Sequence, residues 1–126
     1  MMSYLLPPRS QSAKRFLQFV LAVEVCAVLW FALGQGEAQG SLQNYFGISS
    51  DGMHILAFAV LTMTALLIWP SPVIVGPCLV AAAGGLELLQ FLTPERQASW
   101  SDFGLGAASA LAISTAWFVF RVITRN

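Results

Sequence analysis

Residues 52–69 read GMHILAFAVLTMTALLIW, residues 70–72 read PSP, and residues 73–92 read VIVGPCLVAAAGGLELLQFL. A helix that crosses a bilayer needs about 20 mostly apolar residues, with about 17 as the lower limit. Both runs meet that length, from about Gly52 to Trp69 and from about Val73 to Leu92. Pro70 and Pro72 are excluded from a helix interior by their locked φ and missing N–H. The stretch therefore predicts a tight hairpin of two membrane-spanning helices.

Two further runs flank the hairpin. A first span is expected from about Phe16 to Leu33, after Lys14-Arg15, and a fourth from near Asp102 to about Phe120, where Arg121 stops it. The Gly34–Ser50 connection is rich in Gly, Gln, Ser and Asn, as an aqueous loop should be. Thr93-Pro94 ends the third span. The expected architecture is an all-α membrane protein, one small four-helix bundle over residues 1–126.

Composition agrees with that class. Of the 126 residues 57% are hydrophobic, and only 10% are charged against about 25% in a soluble domain. Mean hydropathy is +0.73, more apolar surface than a 13.6 kDa soluble globule can hide. A formal net charge of zero and the lack of a basic stripe give no reason to invoke nucleic acid.

Orientation follows from the basic residues. Arg9, Lys14, Arg15, Arg121 and Arg125 lie on the side holding both termini, and Arg96 alone lies on the other. That bias predicts that both termini are cytoplasmic. Trp30, Trp69, Trp100 and Trp117 fall near span ends, where amphipathic rings prefer to sit. Lys14-Arg15, the apolar run and the small residues Gly36 and Ala38 imitate a cleavable secretory signal, but Glu24 within the run argues against one.

Against this background the strongly polar residues stand out. A charged side chain at the bilayer centre costs roughly 2.5–3.5 kcal/mol on insertion scales, so such residues usually face protein or water. Asp51 and His54 open the second span. Glu87 and Gln90 close the third, Glu87 about 7–8 Å below its outer end. Arg96 and Ser99 lie in the next loop, and Asp102 opens the fourth span. Three helices and one loop are thus expected to converge on a shallow site at the outer face. Asp51 and His54, and likewise Glu87 and Gln90, are spaced to share a helix face.

Simpler roles compete with a site. Asp51 and Asp102 can each cap a helix start, where a carboxylate also suits the dipole. Glu87 has no such excuse near a helix C-terminus, so its plain role is an ion pair with Arg96. Glu24 faces another helix, is protonated, or pairs across the bundle. Small residues at Ala81-Ala82-Ala83-Gly84-Gly85 and at Gly104, Gly106, Ala107, Ala108 and Ala110 predict close helix packing. Cys26 and Cys78 are read as reduced packing residues at different depths.

The pattern Asp51-x-x-His54-x-x-x-Phe58, Glu87-x-x-Gln90 and Pro94-x-Arg96-x-x-Ser99-x-x-Asp102 resembles the VanZ-like family of small bacterial membrane proteins. The resemblance covers roughly residues 48 to 112. It implies a cell-envelope or exopolysaccharide context, since the family's founding example is associated with low-level teicoplanin resistance. The family commonly carries an Asn before a Gly in the fourth span, where this chain has Phe103-Gly104-Leu105-Gly106. The resemblance supplies no reaction.

Three functions fit these residues. The first is recognition or processing of an amphiphilic envelope molecule, a lipid-linked glycan or a lipoglycopeptide, at the outer leaflet. Asp51, His54, Glu87, Gln90, Arg96, Ser99 and Asp102 would contact it, with Arg96 available to grip a phosphate or carboxylate in bidentate fashion. The second is an enzyme in which His54 and Glu87 are the catalytic candidates. No nucleophile signature supports it. With one His and no HxxxH or HExxH spacing, neither a metal nor any other cofactor is expected. The third is a structural partner of an envelope or exopolysaccharide complex, or a homo-oligomer, with the polar cluster stapling the helices. A pure transporter fits less well, because the chain lacks internal repeats and a deep polar path.

Overall fold

The computed structural model describes residues 10–34, 40–41, 44–94 and 98–125. Four helices carry the fold: α1 (Gln11–Leu33), α2 (Ser50–Ile68), α3 (Pro72–Leu92) and α4 (Trp100–Arg125). All four are long and apolar enough to cross a membrane, as fits a multi-pass membrane protein. Large apolar side chains such as Phe19, Ile74, Phe91 and Phe118 point outward, the arrangement expected where lipid is the solvent. The helices reach beyond the expected apolar runs at several ends. α1 starts at Gln11 because Ser10 caps it, its hydroxyl accepting from Ala13 N–H, and α4 continues to Arg125.

The hairpin turns where the prolines require. α2 ends at Ile68, and Pro72 takes the first position of α3, where its missing N–H costs nothing. Pro77 stands inside α3, which membrane helices tolerate when neighbours and local adjustments satisfy the freed carbonyl. Arg121 of α4 donates to the Pro70 carbonyl and ties the hairpin to the last helix.

Contacts give the topology. Glu24 meets Thr64 and Ala32 meets Gln90, so α1 runs antiparallel to α2 and parallel to α3. His54 meets Asp102, and Ala65 and Leu66 pack near Ile113 and Trp117, so α2 and α4 are parallel. The start of α1 and the end of α4 therefore lie at one end of the bundle, with Lys14, Arg15, Arg121 and Arg125. His54, Glu87 and Asp102 lie at the other. Arg9, Arg96, Gly36 and Ala38 fall outside the described residues.

Small residues set the closest approach. A Cβ built on Gly106 would sit 2.9 Å from Cδ2 of Phe58, so only glycine admits that ring between α2 and α4. Phe58 is buried against Ala32, Ala83 and Leu86, and it anchors the upper core. A lower core gathers Ala65, Leu66 and Val75, with Leu79, Ile113 and Trp117 against it. Trp117 is thus partly covered by protein and its indole N–H is buried, whereas Trp100 is almost fully exposed at its helix end. Cys26 and Cys78 are free and on the outer surface of the bundle.

Candidate functional site

The helix starts at this end are capped by serines. Ser49 caps α2, its hydroxyl accepting from Gly52 N–H at 3.1 Å. Asp51 is therefore a first-turn carboxylate and not the cap; it is exposed and makes no hydrogen bond or ion pair with the described residues. Two serines precede Asp51, and the hydroxyl one position outside the helix is the one placed to reach the free N–H groups.

Ser99 does the same for α4. Its hydroxyl accepts from Asp102 N–H at 3.4 Å, and its carbonyl accepts from Phe103 N–H at 3.1 Å. In a capping box the acid three residues after the cap reaches back to the cap's own N–H. Here another helix supplies that carboxylate: Glu87 Oε2 accepts from Ser99 N–H at 2.8 Å. Asp102 is left to face α2, where its Oδ2 lies 3.4 Å from His54 Nε2. That contact is an ion pair when His54 carries its second proton. Both side chains are mostly shielded, at 13% and 20% exposure, which strengthens the interaction relative to open water.

His54, Asp102, Ser99 and Glu87 thus form one connected chain from α2 through α4 to α3. The expected convergence holds for these four. Gln90, three residues beyond Glu87 on α3, is buried and reaches α1, its Nε2 donating to the Ala32 carbonyl at 3.1 Å. Asp51 stays apart, and Arg96 lies outside the described residues. The partner found for Glu87 is a backbone N–H, which residue spacing does not point to.

Two cavities adjoin the chain. Between α3 and α4 a pocket of about 580 Å³ is lined by apolar and aromatic residues, Leu88, Phe91, Trp100 and Phe103 among them, with Glu87 and Ser99 as its charged and hydroxyl-bearing members. On the α1 side His54 and Gln90 line a small cavity of about 120 Å³ with Met53, Ala57, Phe58 and Leu86. His54 has the Asp102 carboxylate beside it and a free space in front of it, the arrangement of an oriented acid–base or hydrogen-bonding group. No hydroxyl or thiol nucleophile bonds to its ring among the described residues. No group of three or more His, Cys, Asp or Glu side chains among them is placed to hold a metal.

Deeper in the bundle, the Thr64 hydroxyl donates to Glu24 Oε1 at 2.9 Å, while Glu24 Oε2 is buried without a partner. Glu24 therefore does face another helix, meeting α2 at a threonine and not at a base. Ser109 donates to the Ile55 carbonyl at 2.9 Å, a further polar tie between α2 and α4. Thr64 and Ser109 drew no attention in the sequence; their signal was a hydroxyl amid apolar helix residues, which becomes informative once the neighbouring helix is known.

Comparison with protein-family models, with curated proteins and with solved structures gives no match for the chain.

Proposed function

We propose that the chain is a VanZ-like integral membrane protein of the bacterial envelope that recognises or processes an amphiphilic molecule, a lipid-linked glycan or a lipoglycopeptide, at the outer leaflet. The observation that carries the reading is the α3/α4 pocket. It sets Glu87 and Ser99 beside a wall of Leu88, Phe91 and Phe103, where the end of α3 meets the start of α4. A ligand with sugar hydroxyls and an apolar tail matches such a wall, hydroxyls donating to the carboxylate and the tail lying on the rings. The charge asymmetry supports the orientation, with Lys14, Arg15, Arg121 and Arg125 in the cytoplasm and the His54–Asp102 end outside.

A second reading has its own observation. Glu87 already serves the start of α4, and His54 already faces Asp102, so the chain can act purely as a staple while function lies in binding an envelope partner. The two separate experimentally through variants that keep the bonds. Glu87→Gln retains an oxygen acceptor for Ser99 N–H and loses the charge. Under the recognition reading it accumulates in the membrane like the wild type and loses protection against a lipoglycopeptide such as teicoplanin. Under the staple reading it keeps whatever protection its abundance allows.

A further inference from the structure

We propose a second lipid position on the α1 side of α3: a membrane lipid with a neutral, hydroxyl-bearing headgroup, one alkyl chain in the cleft between α1 and α3, and its head at Gln90 and His54. It stands independently of the α3/α4 pocket.

The cleft supplies the first observation. It encloses about 820 Å³, is lined on α1, α2 and α3 by residues such as Leu21, Leu61, Leu79 and Leu89, and offers almost no polar surface. Along α3 it extends from Ile74 to Leu92, about 27 Å at the helical rise and close to the depth of a bilayer core. One alkyl chain along the membrane normal reaches about half that depth, the thickness of one leaflet, and occupies the half of the cleft nearest Gln90. Gly85 on its wall has open space where a Cβ would stand.

Continuity supplies the second. Val28, Phe58 and Leu86 line both this cleft and the small cavity that holds His54 and Gln90. The polar cavity therefore adjoins the upper end of the cleft across Phe58 and Leu86.

An unmet acceptor supplies the third. Gln90 is 5% exposed, and its Oε1 is buried with no partner. The amide cannot be turned round, because the Ala32 carbonyl requires the nitrogen on its side. Oε1 is thus an unmet acceptor on a residue that lines the cavity, and a head bearing a hydroxyl or amide N–H is the kind that meets it. Among the described residues the charged groups at this end are Asp51, Glu87 and Asp102, with His54 the one base. A phosphate seated beside His54 meets the Asp102 carboxylate, 3.4 Å from its Nε2, as a like charge, and a neutral head avoids this.

The test uses the full chain reconstituted in phosphatidylcholine vesicles. It compares a photoreactive monoglucosyl diacylglycerol with phosphatidylglycerol bearing the same diazirine acyl chain, with labelled sites mapped by mass spectrometry. The proposal expects the glycolipid to label cleft residues of α1 and α3 about tenfold more than phosphatidylglycerol, equivalent to about 1.4 kcal/mol. Gly85→Leu, which fills the cleft and leaves the polar contacts in place, removes the cleft labelling. Gln90→Met keeps the labelling and loses the preference. Equal labelling by both lipids, untouched by Gly85→Leu, would mean ordinary annular lipid and would overturn the proposal. So would cleft-to-cleft crosslinking that vanishes on dilution in lipid, which would assign the cleft to a second copy. If Glu87→Gln loses teicoplanin protection while Gly85→Leu changes neither labelling nor protection, this inference fails and the α3/α4 reading stands.

Discussion

The α2/α4 pair and the α1/α3 pair are built on opposite terms. Between α2 and α4 the Phe58 ring presses on Gly106, Ser109 bonds the Ile55 carbonyl, and His54 faces Asp102. Between α1 and α3 one amide reaches one carbonyl, Gln90 to Ala32, and below it lies an open apolar cleft. Lipid is as apolar as leucine, so membrane helices associate through close backbone approach and polar ties. The pair in which a ring presses on a glycine and two polar ties cross is the tighter one, and the pair with one tie above a cleft is the looser one. The polar chain stands on the tighter side, where its geometry is held.

The largest effect is expected where the scaffold is tightest. Gly106→Val places a branched side chain where a Cβ alone meets Phe58 at 2.9 Å, and overpacking of this kind costs about 1–3 kcal/mol or more. Thermal unfolding in detergent should show a clear fall in Tm. Gly85→Ala, facing open space on the looser side, should leave Tm unchanged or slightly raised, because alanine favours the helix by about 1 kcal/mol over glycine. Equal losses at both sites would erase the contrast.

Ser49→Ala comes next. It removes the hydroxyl that accepts Gly52 N–H, at a cost near 1 kcal/mol, measurable as a lower midpoint in the same melts. Thr64→Val probes the attachment of α1 by removing the donor to Glu24. Intramembrane hydrogen bonds average about 0.6 kcal/mol, so the expected change is small, with Thr64→Ser restoring it. Asp51→Asn should be smallest, a few tenths of a kcal/mol from the helix dipole, because Ser49 and not Asp51 is the cap. A loss at Asp51 as large as that at Ser49 would reverse the capping assignment.

The fold was legible because bilayer thickness turns composition into length. Runs of apolar residues and the stops at Pro70 and Pro72 required little beyond counting. The site was half legible. Spacing placed His54, Glu87, Gln90, Ser99 and Asp102 at one end, and they do gather there. Their partners were not readable, because Glu87 bonds a backbone N–H and Gln90 a backbone carbonyl, groups every residue carries. Glu24 could be recognised as needing a partner, but Thr64 is 40 positions away and adjacent only once α1 packs on α2. The α1/α3 cleft was invisible to the sequence, since a lipid-facing leucine and a cleft-lining leucine read alike.

The most direct measurement pairs two readouts on Glu87→Gln and His54→Gln: thermal stability and abundance in the membrane, and protection against teicoplanin in cells carrying the gene. Normal melting and abundance with protection lost is the predicted result, and it would make the His54–Asp102–Ser99–Glu87 chain a working site. Proteins that melt early and disappear from the membrane would contradict it and leave the chain as the fastening of the bundle.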